Sequence, residues 1–234
     1  MCGSRENFTT LMEVGMRFRV ELKIFVYLVL FYLTKQIKIY AFIMLFAFFH
    51  EIGHLFAGIL LGMKPEKIEI MPFGFSVSFK LRPKDYNKKV NKANLLEVKK
   101  IVVAFAGPLT NIFIIIISIY LKLSIFLQLM IIYANVLIVI FNLLPIYPLD
   151  GGRILKGFIH IYKGKKLSEK YINNISLVVI SILTAIASIA IYYFKNIAIF
   201  FVIMYLWFIV LKENKRYMSR CKLEEMIKEY ESKN

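Results

Sequence analysis

Six stretches of the chain are apolar enough to stand out from everything between them: Leu22 to Thr34, Ile39 to Met63, Ile101 to Leu121, Leu123 to Leu144, Ile175 to Phe194 and Ile197 to Leu211. A helix rises about 1.5 Å per residue, so crossing roughly 30 Å of hydrocarbon takes about 20 mostly apolar residues. The first and last stretches are short by that measure. Between the second and third the period changes to two: "KIEI" (67–70) and "FSVSFKLR" (75–82) alternate apolar with polar side chains, and Pro72 and Gly74 between them suit a turn. The pattern predicts an all-α polytopic membrane protein of about six transmembrane helices, with a small membrane-associated β-hairpin between the second and the third. Residues 22–211 form the membrane domain, flanked by tails at 1–21 and 212–234. Met1 to Gly15 has no periodicity and no small-residue cleavage site after an apolar core, so it does not read as a cleavable signal. Met12 and Met16 are alternative starts, the second giving the more compact "MRFRVELKIF".

Composition agrees, with 59% hydrophobic residues and a mean hydropathy of +0.65. The net charge of +16 has a position-dependent origin. With Lys23 counted in the first tail, the two tails and the two long loops carry 27 of the 31 Lys and Arg residues, and the three short connections carry 4. The positive-inside rule then puts both termini and both long loops in the cytoplasm. Attraction to the anionic lipid bilayer is a secondary consequence. Basic residues spread over loops that flank apolar spans exclude nucleic acid as a partner. Cys2 and Cys221 fall in the cytoplasmic tails, where thiols stay reduced, and carry no metal motif.

Inside the second apolar stretch lies "FFHEIGHLFAG" (48–58). His50 and His54, four apart, share one face of a helix, with Glu51 on the adjacent face. This H-E-x-x-H spacing offers two neutral imidazoles to Zn²⁺ and a carboxylate beside them as general base. The plainer reading is that the three pack against neighbouring helices through hydrogen bonds. Ionisable side chains are costly in hydrocarbon and mark function there, which favours the metal.

Zinc needs a third protein ligand. Asp150 in "NLLPIYPLDGGR" (142–153) is the candidate, at the cytoplasmic end of the fourth stretch, where Pro145 and Pro148 break the helix and Gly151 and Gly152 free the backbone to turn. Irregular backbone at membrane depth lines protein or a wet cavity. The alternative for Asp150 is a loop start or a helix cap. His160, the remaining histidine, lies in a loop with Lys156, Lys163, Lys165 and Lys166, whose charges oppose a divalent cation. Asn142 adjoins the broken segment, and its amide could donate to an oxyanion. In "AGPLTN" (106–111), Gly107 and Pro108 suggest close helix approach and a kink, and Asn111 either packs or supports the site from behind.

"HEIGH", "AGPLTN" and "NLLPIYPLDGGR" together resemble, in order and spacing, the three motifs of the site-2 protease family of intramembrane zinc metalloproteases (peptidase family M50), over about residues 22 to 211. "MPFGFSV" and "NLLPIYPLDGG" are most similar to the stage IV sporulation protein FB type, which processes the precursor of a mother-cell sigma factor. The resemblance implies one zinc ion per chain held by His50, His54 and Asp150, Glu51 as the base, and substrate-positioning roles for Asn142 and Pro148. It also implies a membrane-associated sigma-factor precursor as substrate, inhibitory membrane proteins as partners, and residence in the membrane around the forespore, facing the mother cell. The type's nucleotide-sensing CBS domain has no counterpart up to Asn234.

The reaction expected is hydrolysis of a peptide bond near the cytoplasmic face, with the hairpin accepting the substrate as an added strand. A surface hairpin that touches no substrate is the alternative. Two other functions compete: a zinc transporter, which would need polar residues along several spans, and a non-catalytic zinc-binding membrane regulator, which would be expected to lose the base or a ligand.

Overall fold

The computed structural model describes residues 17–72, 74–80 and 90–233. In chain order these form β1 (Arg17–Val20), α1 (Lys23–Leu33), α2 (Ile37–Leu60), β2 (Lys64–Met71), β3 (Gly74–Lys80), α3 (Val90–Tyr120), α4 (Ile125–Asn142), α5 (Asp150–Lys163), α6 (Lys165–Phe194) and α7 (Ile197–Lys233). The alternative start sites, Cys2 and the end of the expected second strand at Leu81 and Arg82 lie outside the described residues.

Among the described residues, five helices are long and apolar enough to cross a membrane: α2, α3, α4, α6 and α7. The sixth expected span is α1, whose 11 residues reach only about 16 Å. Lys35, left-handed at φ 58°, turns the chain out of it, and the Thr34 hydroxyl donates back to the Leu30 carbonyl at 3.0 Å. Helix α3 begins at Val90, well before the apolar run, and Pro108 sits inside it without ending it. The tail expected after Leu211 is helical and continuous with the last span, so α7 runs 37 residues. The stretch from Asp150 to Lys163, read from the sequence as loop, is helix α5, and His160 lies in its last turn.

The chain divides into two compact units, Met1–Ile140 and Phe141–Asn234. In the first, β2 and β3 pair antiparallel as a hairpin, and β1 adds parallel to β2, giving the order β1-β2-β3. Strand β1 leaves no mark in the sequence pattern, because four residues are too few for a period to show. Strand β3 lies along α2, the two running in step. Gly74 approaches Ala47, and the Phe75 ring meets Phe48 edge-on at 5.4 Å. The Val77 amide reaches Glu51, and the Phe79 ring covers Gly58. The Tyr40 hydroxyl closes this packing from the hairpin turn, donating to the Pro72 carbonyl at 2.6 Å. Phe46 and Ala47 of α2 meet Ala134 and Ile138 of α4 in the apolar core.

The second unit packs Ile146 against Ile180, Leu206 and Val210. The Trp207 indole donates to the Thr184 hydroxyl at 2.8 Å, tying α7 to α6. Lys195, in the left-handed conformation with φ 50°, ends α6 and turns the chain into α7.

Candidate metal centre

Helix α2 presents His50 and His54 from one face, and both rings are buried to 3% exposure. The His54 Nδ1–H donates to the Val103 carbonyl at 2.7 Å. A carbonyl only accepts, so the proton of this neutral ring is on Nδ1 and its Nε2 carries a lone pair. His50 Nδ1 bonds the Asn111 Oδ1 at 2.6 Å, with the same consequence. The two Nε2 atoms are 3.0 Å apart. With both ring protons on Nδ1, no hydrogen is left to join them, and two lone pairs at that distance repel. A cation between them converts the repulsion into ligation, so the donor set fits Zn²⁺. Glu51 completes the group, its ligand oxygen and the two histidine nitrogens lying within 4.8 Å of one another.

Helix α3 can approach this closely because residue 107 has no side chain. A Cβ there would overlap the imidazoles of both His50 and His54. The close approach expected of Gly107 is therefore made to the candidate ligands themselves. Glu51 Oε2 accepts the Val77 amide of β3 at 3.2 Å, which holds the carboxylate against the hairpin. Asn111 is fully buried and bonded to His50. Behind it stands Asn135 of α4, also fully buried, whose Oδ1 accepts from Asn111 Nδ2 at 2.7 Å. Asn135 belongs to none of the three motifs, although a lone amide in the apolar run "MIIYANVLIVIF" is itself a signal.

In the second unit, the helix break expected at "NLLPIYPLDGGR" begins after Asn142, the last residue of α4. The segment turns back through bonds from the Ile146 amide to the Leu144 carbonyl and from the Leu149 amide to the Ile146 carbonyl. The Tyr147–Pro148 peptide is cis, and the Tyr147 amide donates to Ser176 Oγ at 2.9 Å. The Lys156 ammonium lies over the Tyr147 ring at 4.7 Å and pairs with Glu169, which Arg220 also approaches. Gly151 and Gly152 are helical rather than turn residues. A Cβ on the first would strike the Leu143 carbonyl and a Cβ on the second the Ile146 carbonyl, so the glycines let the segment fold onto the start of α5. Asp150 is the first residue of α5, 4% exposed, with the Arg153 guanidinium 3.7 Å from its carboxylate.

The sequence profile of peptidase family M50 matches residues 38–128 and 119–186, well over half of the chain. A zinc metalloprotease of Methanocaldococcus jannaschii is 29% identical over 168 residues, covering 68% of this chain, which spans 44% of that relative's length. The solved site-2 protease of the same organism superposes with a TM-score of 0.60 at 22% identity, over 85% of this chain and 91% of the other, a likeness of fold. With the profile enclosing the two histidines, Glu51, Asn111 and Asp150, this chain belongs to peptidase family M50.

Proposed function

We propose that this protein is an intramembrane zinc metalloprotease that hydrolyses a peptide bond of a membrane-associated protein near the cytoplasmic face. The observation that carries the reading is the pair of buried Nε2 atoms 3.0 Å apart with Glu51 beside them. Five long apolar helices and the family make it an integral membrane protein. His50, His54 and Asp150 are the residues that would hold zinc. When bound, zinc supplies Lewis acidity that makes water a nucleophile near neutral pH. Glu51 would accept a proton from the attacking water and pass it to the amine nitrogen that leaves the broken bond. The Asn142 amide donates to the oxygen on which negative charge develops, and Pro148 holds the broken segment that lies beside the substrate. The Val77 amide bonds Glu51 from β3, an edge strand of the described sheet. An extended substrate pairing there would bring its backbone to the base, unwound from the helical state that shields peptide bonds.

The substrate we propose is a sporulation sigma-factor precursor, on the likeness of "MPFGFSV" and "NLLPIYPLDGG" to the stage IV sporulation protein FB type. That type sits in the membrane around the forespore with inhibitory membrane partners, and the distribution of Lys and Arg favours both termini in the cytoplasm, which requires the α1 region to cross together with the five long helices. A zinc transporter is disfavoured because the hydroxyls of α6, Ser176, Ser181, Thr184 and Ser188, bond carbonyls of their own helix rather than lining a path. Co-expression of the full chain with a membrane-associated precursor tests the function: a new fragment is expected, and zinc uptake without any fragment would mean a transporter or a regulator. Cysteine labelling tests the orientation, with position 165 expected on the cytoplasmic side and 195 on the other. The reverse pattern would overturn it.

A further inference from the structure

We propose that Asn135, acting through Asn111, is a positioning residue that fixes His50 in its Nδ1–H form and so keeps the Nε2 lone pair on the metal side. The inference rests on reading His50 as a zinc ligand. The direction of the whole relay is set by one backbone group. The Ile131 carbonyl has no proton to give, so the Asn135 atom 2.8 Å from it is the donor Nδ2, and Oδ1 faces the other way. An amide oxygen only accepts, so Asn111 must present its own Nδ2 to Asn135, at 2.7 Å. That leaves Asn111 Oδ1 for His50, at 2.6 Å, and the proton in that bond belongs to the imidazole Nδ1.

An amide is nearly symmetric in shape, and without Asn135 the Asn111 group could turn over. Turned over, it would offer N–H to His50, move the ring proton to Nε2 and block the metal. With Asn135 in place, the flip would set two amide oxygens against each other. Water cannot relieve that conflict, because Asn111 and Asn135 are both fully buried. His54 reaches the same tautomer by one bond to the Val103 carbonyl. His50, facing a side chain that could present either end, needs the second amide. This accounts for an asparagine inside the apolar helix α4.

The chain has three histidines, so a ¹⁵N-histidine label reports three rings. Long-range ¹H–¹⁵N spectra of the metal-free full chain in micelles, at a pH where the rings are neutral, should show His50 and His54 both protonated on Nδ1. Asn135→Leu should move His50 toward the Nε2–H form and leave His54 unchanged, with zinc affinity in a chelator competition falling roughly tenfold. Asn135→Asp should restore both readouts, since a buried neutral carboxyl can donate to Ile131 and accept from Asn111. Asn135→Ala is read in the same way as the leucine variant if leucine is not accommodated. A His50 ring that stays Nδ1–H in these variants while zinc binds normally would overturn the relay. A His50 shift in a chain that takes up no zinc would leave the relay standing and sink the zinc reading instead.

Discussion

The histidine pair of the first unit and Asp150 of the second are buried alike, at 3% and 4% exposure, yet the chain holds them by opposite means. His50 and His54 stand on an unbroken helix, where the four-residue spacing alone puts them on one face, and helix α3 supplies the partners of both Nδ1 atoms. Asp150 stands at the start of a helix reached through irregular backbone, and its place depends on bonds and close contacts that no periodicity announces. Regular geometry makes a site readable. Irregular geometry makes it dependent on a handful of contacts, each of which can be broken separately.

The largest effect is expected at the proposed third ligand. Asp150→Ala should lose zinc in a mild chelator and abolish cleavage, whereas His160→Ala should change neither, both measured as bound zinc in the purified variants. Preferential loss from His160→Ala would mean that the wrong third ligand has been assigned. Gly107→Ala comes next, because its Cβ would overlap both imidazoles. We expect a loss of about 1–3 kcal/mol in stability together with weakened zinc binding, read by thermal denaturation with and without zinc. Wild-type zinc affinity in this variant would show that α3 is free to draw back from α2.

Gly151→Ala sharpens the comparison from the other side. Its Cβ would meet the Leu143 carbonyl, a backbone atom that cannot rotate away, so a similar cost of about 1–3 kcal/mol is expected. The histidine tautomers, set within the first unit, should be unchanged in the same sample. The smallest effect belongs to Arg153→Ala: its pairing with Asp150 is 3.7 Å long and the arginine is partly exposed, so stability should change by less than about 1 kcal/mol. A larger loss would mean that the Arg153 contact carries more of the packing at the start of α5 than its length implies.

The histidine and glutamate spacing, the helix break at Pro145 and the close approach at Gly107 could all be read from residue types, because each follows from a local rule of helix geometry. Strand β1 could not, since its four residues pair with a strand some fifty positions away. The apolarity of the first stretch is visible in the sequence, whereas the limit of its helix to 11 residues is not, because the left-handed turn at Lys35 leaves no mark in hydropathy. Helix α5 is masked in the sequence because its three glycines and its polar residues interrupt an otherwise periodic stretch; Gly151 and Gly152, which suggest a turn, serve the packing of the preceding segment against that helix. Asn135 escaped notice because its partner is another side chain rather than a motif neighbour.

The most direct test of the account is the Glu51→Gln variant of the full-length protein, assayed for bound zinc and for cleavage of a co-expressed membrane-associated precursor. The amide keeps the shape of the carboxylate and removes its basicity. We expect zinc bound as in the wild type and a rate lowered by about 10²–10⁴-fold. Near-normal turnover by purified Glu51→Gln with zinc in place would contradict the assignment of Glu51 as the base and, with it, the mechanism built on this site.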